Sequence, residues 1–272
     1  MPFASHLDGQ IEYFVEGSGP PLLLLHGVAN DAQGMWFQRG YVDALSPHFT
    51  LIAVNSRGYG NSTPVTTVEH LHYRLYRDDF LAVLDDLGLE QAAVMGYSRG
   101  GVLAMFLAME YPERVSALAI GAANLHEESG RRGFGTATPW RDPRPKLHPR
   151  RVAGAIRRRI RQRLRPTPPS DPMSRWTPIL REHGITFPEA WERFIRPLAD
   201  SERAVERLTM PALFFQGDLD TQFDVNETRA LVERLAQGEL VVVPGATHDL
   251  ISRPERVLPI VTPFLQRTAG VG

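Results

Sequence analysis

Short apolar runs recur along the chain, and their character predicts a sheet whose strands are covered on both faces. They occupy residues 22–25, 51–54, 92–95, 115–120, 212–215 and 240–243. Because these runs show no alternation of apolar and polar positions, they predict central strands. Residues 10–15 do alternate, after a turn at Asp8 and Gly9, and predict a first strand that is exposed and antiparallel.

Predicted helices separate several of these strands. They cover residues 73–87, 226–235 and 254–266, and a helix-like segment also follows the strand at residues 92–95. Strands that alternate with helices predict an α/β fold with a mostly parallel, doubly wound sheet. Ligands in such a fold bind outside the carboxyl ends of the strands.

The pattern changes between residues 124 and 205, where arginine, proline and tryptophan are frequent and no strand-like run occurs. Apolar residues spaced four apart predict two helices there, at residues 150–164 and 188–198. We therefore predict a core made of residues 1–123 and 206–272, with residues 124–205 as a helical insertion.

Composition narrows the class of protein. The chain has 272 residues, of which 43% are hydrophobic and 22% charged, as in an ordinary globular protein. A formal net charge of −1 gives no indication of a nucleic-acid partner. The absence of cysteine excludes disulfides, thiolate metal sites and a cysteine nucleophile. The N-terminus lacks the features of a signal peptide and no apolar run approaches a membrane span, so a cytoplasmic protein is expected.

The segment from Val94 to Gly101 carries the strongest chemical signal. An apolar run enters the turn Gly96-Tyr97-Ser98-Arg99-Gly100, and a helix-like segment follows. This order of strand, Gly-x-Ser-x-Gly turn and helix is that of a nucleophile elbow, which presents a serine hydroxyl to a cleft. The positive end of the following helix favours negative charge that develops there. Ser98 is therefore the candidate nucleophile.

Loops at other predicted strand ends hold the remaining parts that a serine nucleophile requires. The turn after residues 22–25 places the Val28 amide where, with that of Arg99, it could hold an oxyanion. A loop after residues 212–215 carries Asp218 and Asp220, and the loop after residues 240–243 carries His248. Serine, aspartate and histidine follow one another in the chain order expected of this arrangement.

These motifs together resemble the α/β-hydrolase superfamily over nearly the whole chain. The matching stretches are Asp8-Gly9, Gly17-Ser18-Gly19-Pro20-Pro21, His26-Gly27, Arg57-Gly58-Tyr59-Gly60-Asn61-Ser62, Gly96-Tyr97-Ser98-Arg99-Gly100-Gly101, residues 211–220 and Gly245-Ala246-Thr247-His248. Each is weak alone, whereas their shared order and spacing are specific.

The resemblance implies a role for each candidate residue. Ser98 would be the nucleophile, His248 the base and then the acid, Asp220 the orienting carboxylate, Val28 and Arg99 the oxyanion donors, and residues 124–205 a helical cap. No metal or organic cofactor is expected. The chain departs from the family at Asn55, where an aspartate is usual, and a local structural change is expected from this. Arg99 is bulkier and more charged than the residue that commonly follows the serine.

Several candidate residues have alternative interpretations. Asp218 and Asp224 compete with Asp220 as the acid, and would otherwise form turns or cap helices. Asn124 occupies the alternative acid position after the preceding strand, but it carries no charge.

Histidines and tryptophans outside the proposed site are interpreted as structural. His26 is expected to pack beneath the oxyanion turn. His70 and His72 are expected to begin a solvated helix, because no carboxylate cluster accompanies them as a metal site would require. Aromatic residues that would either line an apolar pocket or pack in the core are Trp36, Phe37, Trp140, Trp176 and Trp191.

The expected reaction is hydrolysis of a carboxylic ester or lactone through an acyl-enzyme. Hydrolysis of a carbon–carbon bond or a thioester on the same triad, or a ligand receptor with slow turnover, are the alternatives. Epoxide hydrolysis and dehalogenation are disfavoured, because relatives with those activities use aspartate where this chain has Ser98.

An arginine cluster between residues 157 and 165 is a candidate binding surface for a negatively charged partner. It is either a solvated face, a surface for anionic lipid, or a guide for an anionic substrate or acidic carrier protein. No nucleic-acid partner is expected.

Overall fold

The computed structural model describes residues 2–28, 30–126, 182–184, 190 and 204–268. Apart from Ala190, the two predicted helices at residues 150–164 and 188–198 lie outside the described residues. The arginine cluster and Trp140, Trp176 and Trp191 lie outside them as well. The helical insertion at residues 124–205 and its role as a cap therefore stay predictions.

The described strands form one mixed, mostly parallel sheet. They are β1 (Phe3–His6), β2 (Gly9–Gly17), β3 (Pro21–Leu25), β4 (Thr50–Val54), β5 (Ala92–Tyr97), β6 (Val115–Gly121), β7 (Ala212–Gly217) and β8 (Gly238–Val243). Their order across the sheet is β1-β2-β4-β3-β5-β6-β7-β8. Pairing is antiparallel from β1 to β4 and parallel from β4 to β8, which confirms the predicted architecture.

One strand at the sheet edge was not predicted. The sequence predicted residues 10–15 as the first, exposed strand, but β1 precedes them and takes the edge position. The antiparallel pairing of β2 was correct. His6 at the end of β1 lies 2.7 Å from the buried carboxylate of Asp79 through its Nδ1 atom, and Arg57 donates two hydrogen bonds to the same carboxylate. These contacts attach β1 to Asp79 of α2.

Helices cover both faces of the sheet. They are α1 (Tyr41–Leu45), α2 (Tyr73–Asp86), α3 (Arg99–Glu110), α4 (Val225–Val232) and α5 (Pro254–Thr268). A π-helical turn spans Gln33–Phe37, and 3₁₀ turns span Val68–His70, Pro112–Arg114, Ala204–Arg207 and Leu250–Ser252. The predicted helix at residues 226–235 ends earlier, at Val232. His72 caps the start of α2 by accepting a hydrogen bond from the Arg74 amide.

Alternate residues of each central strand contribute to two separate cores. Leu23 and Leu25 of β3 pack with Phe80 of α2 and Phe106 of α3, whereas Leu22 and Leu24 face α1 and α5. Strands buried on both faces explain the continuous apolar runs in the sequence.

The structure describes the environments of Trp36 and Phe37, two residues predicted either to line a pocket or to pack in the core. Trp36 is 0% exposed and packs edge-on against Tyr41, with ring centres 5.5 Å apart. Phe37 packs edge-on against Phe14 on β2. Trp36 is therefore a core residue. Within residues 2–28, 30–126, 182–184, 190 and 204–268, we find no helix with the length and hydrophobicity of a transmembrane segment.

Candidate active site

Ser98 lies at the carboxyl end of β5, in the middle of the sheet. Its backbone has φ 53° and ψ −123°, a region that a residue with a β-carbon rarely adopts. Such a conformation costs about 1–3 kcal/mol and persists only where the surrounding structure imposes it. Ser98 is the N-cap of α3, yet its side chain makes no capping hydrogen bond. The hydroxyl is thus directed to another partner.

Two glycines make this turn possible. A β-carbon on Gly96 would overlap the Gly100 carbonyl oxygen, and one on Gly100 would overlap the Leu25 carbonyl oxygen. Strand β5, helix α3 and the end of β3 therefore approach one another more closely than any larger residue allows. The Gly-x-Ser-x-Gly spacing is required by this local packing.

Ser98 contacts His248, and His248 in turn contacts Asp220. Ser98 Oγ lies 3.0 Å from His248 Nε2, and His248 Nδ1 lies 2.9 Å from Asp220 Oδ2. In the tautomer with the proton on Nδ1, Nδ1 donates a hydrogen bond to the Asp220 carboxylate. Nε2 is then free to accept a hydrogen bond from the Ser98 hydroxyl. The loops after β5, β7 and β8 thus bring the three predicted residues into one continuous hydrogen-bonded chain.

The carboxylate of Asp220 is held in place by its own loop. Its side chain is 0% exposed, and its Oδ1 atom accepts hydrogen bonds from the amides of Gln222 and Phe223 at 2.8 and 3.1 Å. The Phe223 ring also stacks on the His248 ring, with centres 5.7 Å apart and planes 19° apart. Phe223 therefore contacts both Asp220 and His248, which the sequence did not indicate.

The competing polar residues have structural roles. Asp218 Oδ1 accepts a hydrogen bond from the Gly245 amide, and Asp224 caps α4 through the Asn226 amide. The Asn124 amide group donates to Thr228 Oγ1 and to the Asp224 carbonyl oxygen. Each of these contacts fastens a loop near the site, and only Asp220 contacts His248.

The predicted oxyanion donors, Val28 and Arg99, follow Gly27 and Ser98 directly in the chain. The backbone of Gly27 passes beside the nucleophile, because a β-carbon there would lie 3.4 Å from Ser98 Cβ. Val28 follows it, and its carbonyl oxygen accepts a hydrogen bond from the Tyr59 hydroxyl at 2.9 Å. Arg99 is the first residue of α3, where amides lie outside the ladder of intrahelical hydrogen bonds.

The Arg99 side chain is directed into the protein. It is 0% exposed, and its guanidinium carbon lies 4.6 Å from the centre of the Tyr59 ring and 5.5 Å from that of Tyr76. The Arg99 side chain thus packs in the interior, while the Arg99 backbone begins α3 next to Ser98.

His26 lies in the same buried layer. It is 0% exposed, its Nδ1 atom donates to the Gly27 carbonyl oxygen, and its Nε2 atom accepts from the Ser56 amide. Burial, with a smaller effect from the charge of Arg99, lowers the pKa of His26 from 6.5 to about 3. His26 is therefore neutral, and both of its ring nitrogens bond to backbone groups, as expected of a structural histidine.

Asn55 connects the sheet to the loop after Val28. Its Oδ1 atom accepts from the Ala32 amide at 2.8 Å, and its Nδ2 atom donates to the buried Glu12 carboxylate at 2.6 Å. Asn61 also donates to Glu12 through its backbone and side chain. An amide at position 55 thus bridges a backbone donor and a carboxylate, whereas an aspartate there would face Glu12 with like charge.

Within the described part of the chain, no group of three or more histidine, aspartate and glutamate side chains could hold a metal ion.

Similar proteins match different portions of the chain. The bifunctional epoxide hydrolase 2 of Sus scrofa is 39% identical over 110 residues, which are 39% of this chain and 19% of that protein. The chain therefore spans about a fifth of that relative. The pimeloyl-[acyl-carrier protein] methyl ester esterase of Aeromonas hydrophila is 27% identical over 260 residues, which are 92% of this chain and 96% of the relative.

Solved structures share the same architecture. The enol-lactonase from Burkholderia xenovorans LB400 superposes with a TM-score of 0.66 at 21% identity, covering 97% of this chain and 99% of the other. The family model described as the alpha/beta hydrolase fold matches residues 20–252, a range that includes Ser98, Asp220 and His248. The chain belongs to the alpha/beta hydrolase family.

Proposed function

We propose that this chain is a serine hydrolase that cleaves a carboxylic ester or a lactone through an acyl-enzyme. The observation that carries the proposal is the continuous hydrogen-bonded chain from Ser98 through His248 to Asp220, with Ser98 on a strained turn. The strain and the geometry together are typical of a serine nucleophile activated by an adjacent base.

In the acylation step, His248 Nε2 removes the Ser98 proton while Oγ forms a bond to the substrate carbonyl carbon. The buried carboxylate of Asp220 stabilises the resulting imidazolium and keeps its proton on Nδ1. As the bond to the leaving oxygen breaks, His248 Nε2 gives its proton to that oxygen. In a lactone, the leaving oxygen stays attached to the acyl chain.

Negative charge on the carbonyl oxygen needs donors in both acylation and deacylation. We assign this role to the amides of Val28, in the loop after β3, and of Arg99, the first residue of α3. The helix dipole of α3 supports the same charge. Loss of one such donor typically lowers the rate by about 100- to 1,000-fold.

In the deacylation step, His248 removes a proton from water as the water oxygen attacks the acyl carbon. The bond to Ser98 Oγ then breaks, and His248 returns the proton to the serine. The carboxylic acid leaves and the resting site is restored. Each step uses His248 alternately as base and acid, which requires the hydrogen bond to Asp220 throughout.

The identity of the nucleophile favours acyl substrates over epoxides and alkyl halides. Attack of Ser98 on an epoxide or alkyl halide would form an ether, which water does not cleave under these conditions, so the site would be used once. Attack on an ester or lactone forms an acyl-enzyme that water hydrolyses. Similarity to a methyl ester esterase over 92% of the chain supports the ester assignment.

The experiment combines a fluorophosphonate probe with a panel of p-nitrophenyl esters and lactones. Wild-type protein should be labelled at Ser98 and should turn over many molecules of at least one substrate. Ser98→Ala should lose labelling and about 10⁶-fold in kcat. Ser252→Ala is the matched control, because the Ser252 hydroxyl contacts Asp249 at the surface and should leave both readouts unchanged.

Probe labelling and substrate turnover together distinguish the proposed hydrolase from the alternative functions. Labelling with repeated turnover supports the proposal. Labelling without turnover of any ester or lactone overturns it in favour of a receptor or of another reaction on the same triad. Absence of labelling at Ser98 contradicts the triad itself.

A further inference from the structure

Tyr97 lies directly before the nucleophile and contacts the loop that carries the base. It is the last residue of β5, and strand alternation places its side chain on the same core face as Ala93 and Met95. That face is covered by α5 and by the segment that contains His248. A tyrosine at this position therefore reaches from the nucleophile strand towards the histidine loop.

The Tyr97 hydroxyl makes two hydrogen bonds to that loop. It donates to the His248 carbonyl oxygen at 2.8 Å and accepts from the Ile251 amide at 3.4 Å. One oxygen atom thus holds the backbone of the base and the 3₁₀ turn that follows it. Because Tyr97 and Ser98 are neighbours in the chain, this side chain forms a short connection between the backbones of nucleophile and base.

The surroundings keep the tyrosine in this orientation. Its residue exposure is 2%, and its ring centre lies 6.2 Å from that of Phe215 and 5.8 Å from that of His248. A β-carbon on Gly121 would overlap the Tyr97 and Phe215 rings, so the end of β6 leaves room for the ring. Packing restricts the ring and thereby restricts the hydroxyl.

The hydroxyl remains a donor over the range in which hydrolases work. Burial, followed by the charge of Asp220, raises the pKa of Tyr97 well above 10. The bond to the His248 carbonyl is therefore not lost as the pH changes around neutrality.

We propose that Tyr97 is a positioning residue for His248: its hydroxyl fixes the backbone of the base relative to the nucleophile, and so keeps Nε2 in reach of Ser98 Oγ. This inference rests on the proposed function. A misplacement of about 1 Å can cost a catalytic group about 100-fold in rate, so loss of one hydroxyl should be visible in turnover.

Tyr41 provides a matched control for a purely structural role. It is 0% exposed, and its hydroxyl donates to the Ile251 carbonyl oxygen at 3.0 Å, in the same segment. Tyr97→Phe and Tyr41→Phe each remove one buried hydroxyl that bonds to this segment and keep the ring. Only Tyr97→Phe removes a bond to His248 itself.

The test measures hydrolysis of p-nitrophenyl butyrate, thermal unfolding and the NMR signal of the His248 Nδ1 proton that bonds to Asp220. Both variants should fold and should lower the melting temperature by similar amounts. Tyr97→Phe should lower kcat by about 10- to 100-fold with KM within about 2-fold, and should weaken the proton signal. Tyr41→Phe should keep kcat within about 3-fold and retain the signal.

Two results would overturn the positioning role. One is an equal loss of kcat in both variants. The other is a selective loss in Tyr97→Phe with an unchanged proton signal, because His248 would then not have moved. The NMR measurement needs no substrate. If the wild-type protein cleaves no ester and no lactone of the panel, but its proton signal weakens in Tyr97→Phe, the proposed hydrolysis is refuted and the positioning role stands.

Discussion

The guanidinium of Arg99 lies 4.6 Å from the centre of the Tyr59 ring, and both residues are buried. The backbone and the side chain of Arg99 therefore have different roles. Its backbone begins α3 beside Ser98, while its side chain packs between Tyr59 and Tyr76. A cation over aromatic rings in a desolvated place contributes about 2 kcal/mol or more.

Replacement of Arg99 by lysine should therefore affect stability more than chemistry. An ammonium group lacks the planar surface that stacks on a ring, so Arg99→Lys should lower the free energy of unfolding by about 1–2 kcal/mol. The backbone amide is unchanged, so kcat should stay within about 10-fold. Urea unfolding and ester hydrolysis measure the two effects. A loss of kcat above about 100-fold with unchanged stability would place the side chain in the chemistry.

The three aspartates near the site should differ sharply in their effect on turnover. Asp220→Asn replaces the carboxylate that accepts the Nδ1 proton of His248, and should lower kcat by about 10⁴-fold. Asp218→Asn and Asp224→Asn keep an oxygen that can accept from Gly245 and Asn226, and should leave kcat within about 3-fold of wild type. A comparable loss in either control would mean that the acid has been misassigned.

An aspartate at position 55 should introduce a pH-dependent instability. Asn55 Nδ2 lies 2.6 Å from Glu12 Oε2, so Asn55→Asp would bring two buried carboxyl groups together. Such a pair must share a proton in the folded state, whereas both ionise in the unfolded chain. The folded variant then binds more protons, so its stability should fall relative to wild type as the pH rises from about 4 to about 7.

The partner substitution provides the control for this prediction. Glu12→Gln combined with Asn55→Asp restores one amide and one carboxylate at the contact, and should recover part of the stability at neutral pH. Urea unfolding of the single and double variants across the pH range measures this. A double variant that is as unstable as the sum of both single variants would show that the two side chains are not coupled.

His26 should contribute to acid unfolding. Its pKa is lowered from 6.5 to about 3 in the folded protein, so between these values the unfolded chain binds a proton that the folded chain does not. Stability is therefore lost as the pH falls through this window, by up to about 1.4 kcal/mol per pH unit. His26→Gln removes this proton linkage. Its urea-unfolding free energy, measured from about pH 8 to about pH 4, should fall less steeply with acid than that of wild type.

The same urea-unfolding series separates the loss of packing in His26→Gln from the loss of proton linkage. The ring packs edge-on against Tyr59 at 4.7 Å, so the variant should already be less stable at about pH 8, where the histidine is neutral in both states. An acid slope equal to that of wild type would show that His26 is not the group responsible.

The features that the sequence predicts well are those set by local pattern. Parallel strands buried on both faces read as continuous apolar runs, and the close approach of β5 to α3 imposes glycine at fixed spacing around Ser98. Strand ends that share one edge of the sheet bring distant motifs together, so Ser98, Asp220 and His248 could be nominated before any contact was known.

The features that the sequence does not predict depend on contacts between distant residues. Strand β1 is held by His6 and Asp79, which lie 73 positions apart. Tyr97 contacts His248 across 151 positions, and a tyrosine in an apolar strand is otherwise an ordinary core residue. The choice among three neighbouring aspartates likewise depends on loop geometry, because all three follow the same strand.

The adjacency of β6 and β7 has a consequence for how such a protein can diversify. These strands are hydrogen-bonded neighbours, with Leu118 opposite Ala212 and Gly121 opposite Phe215, although the chain between them includes residues 127–203. Strands β6 and β7 thus pair directly with each other, and Ser98, Asp220 and His248 all lie outside residues 127–203. If these residues form the predicted cap, we expect that replacing them by recombination or design would change the substrate preference and leave the hydrogen bonds among Ser98, His248 and Asp220 in place.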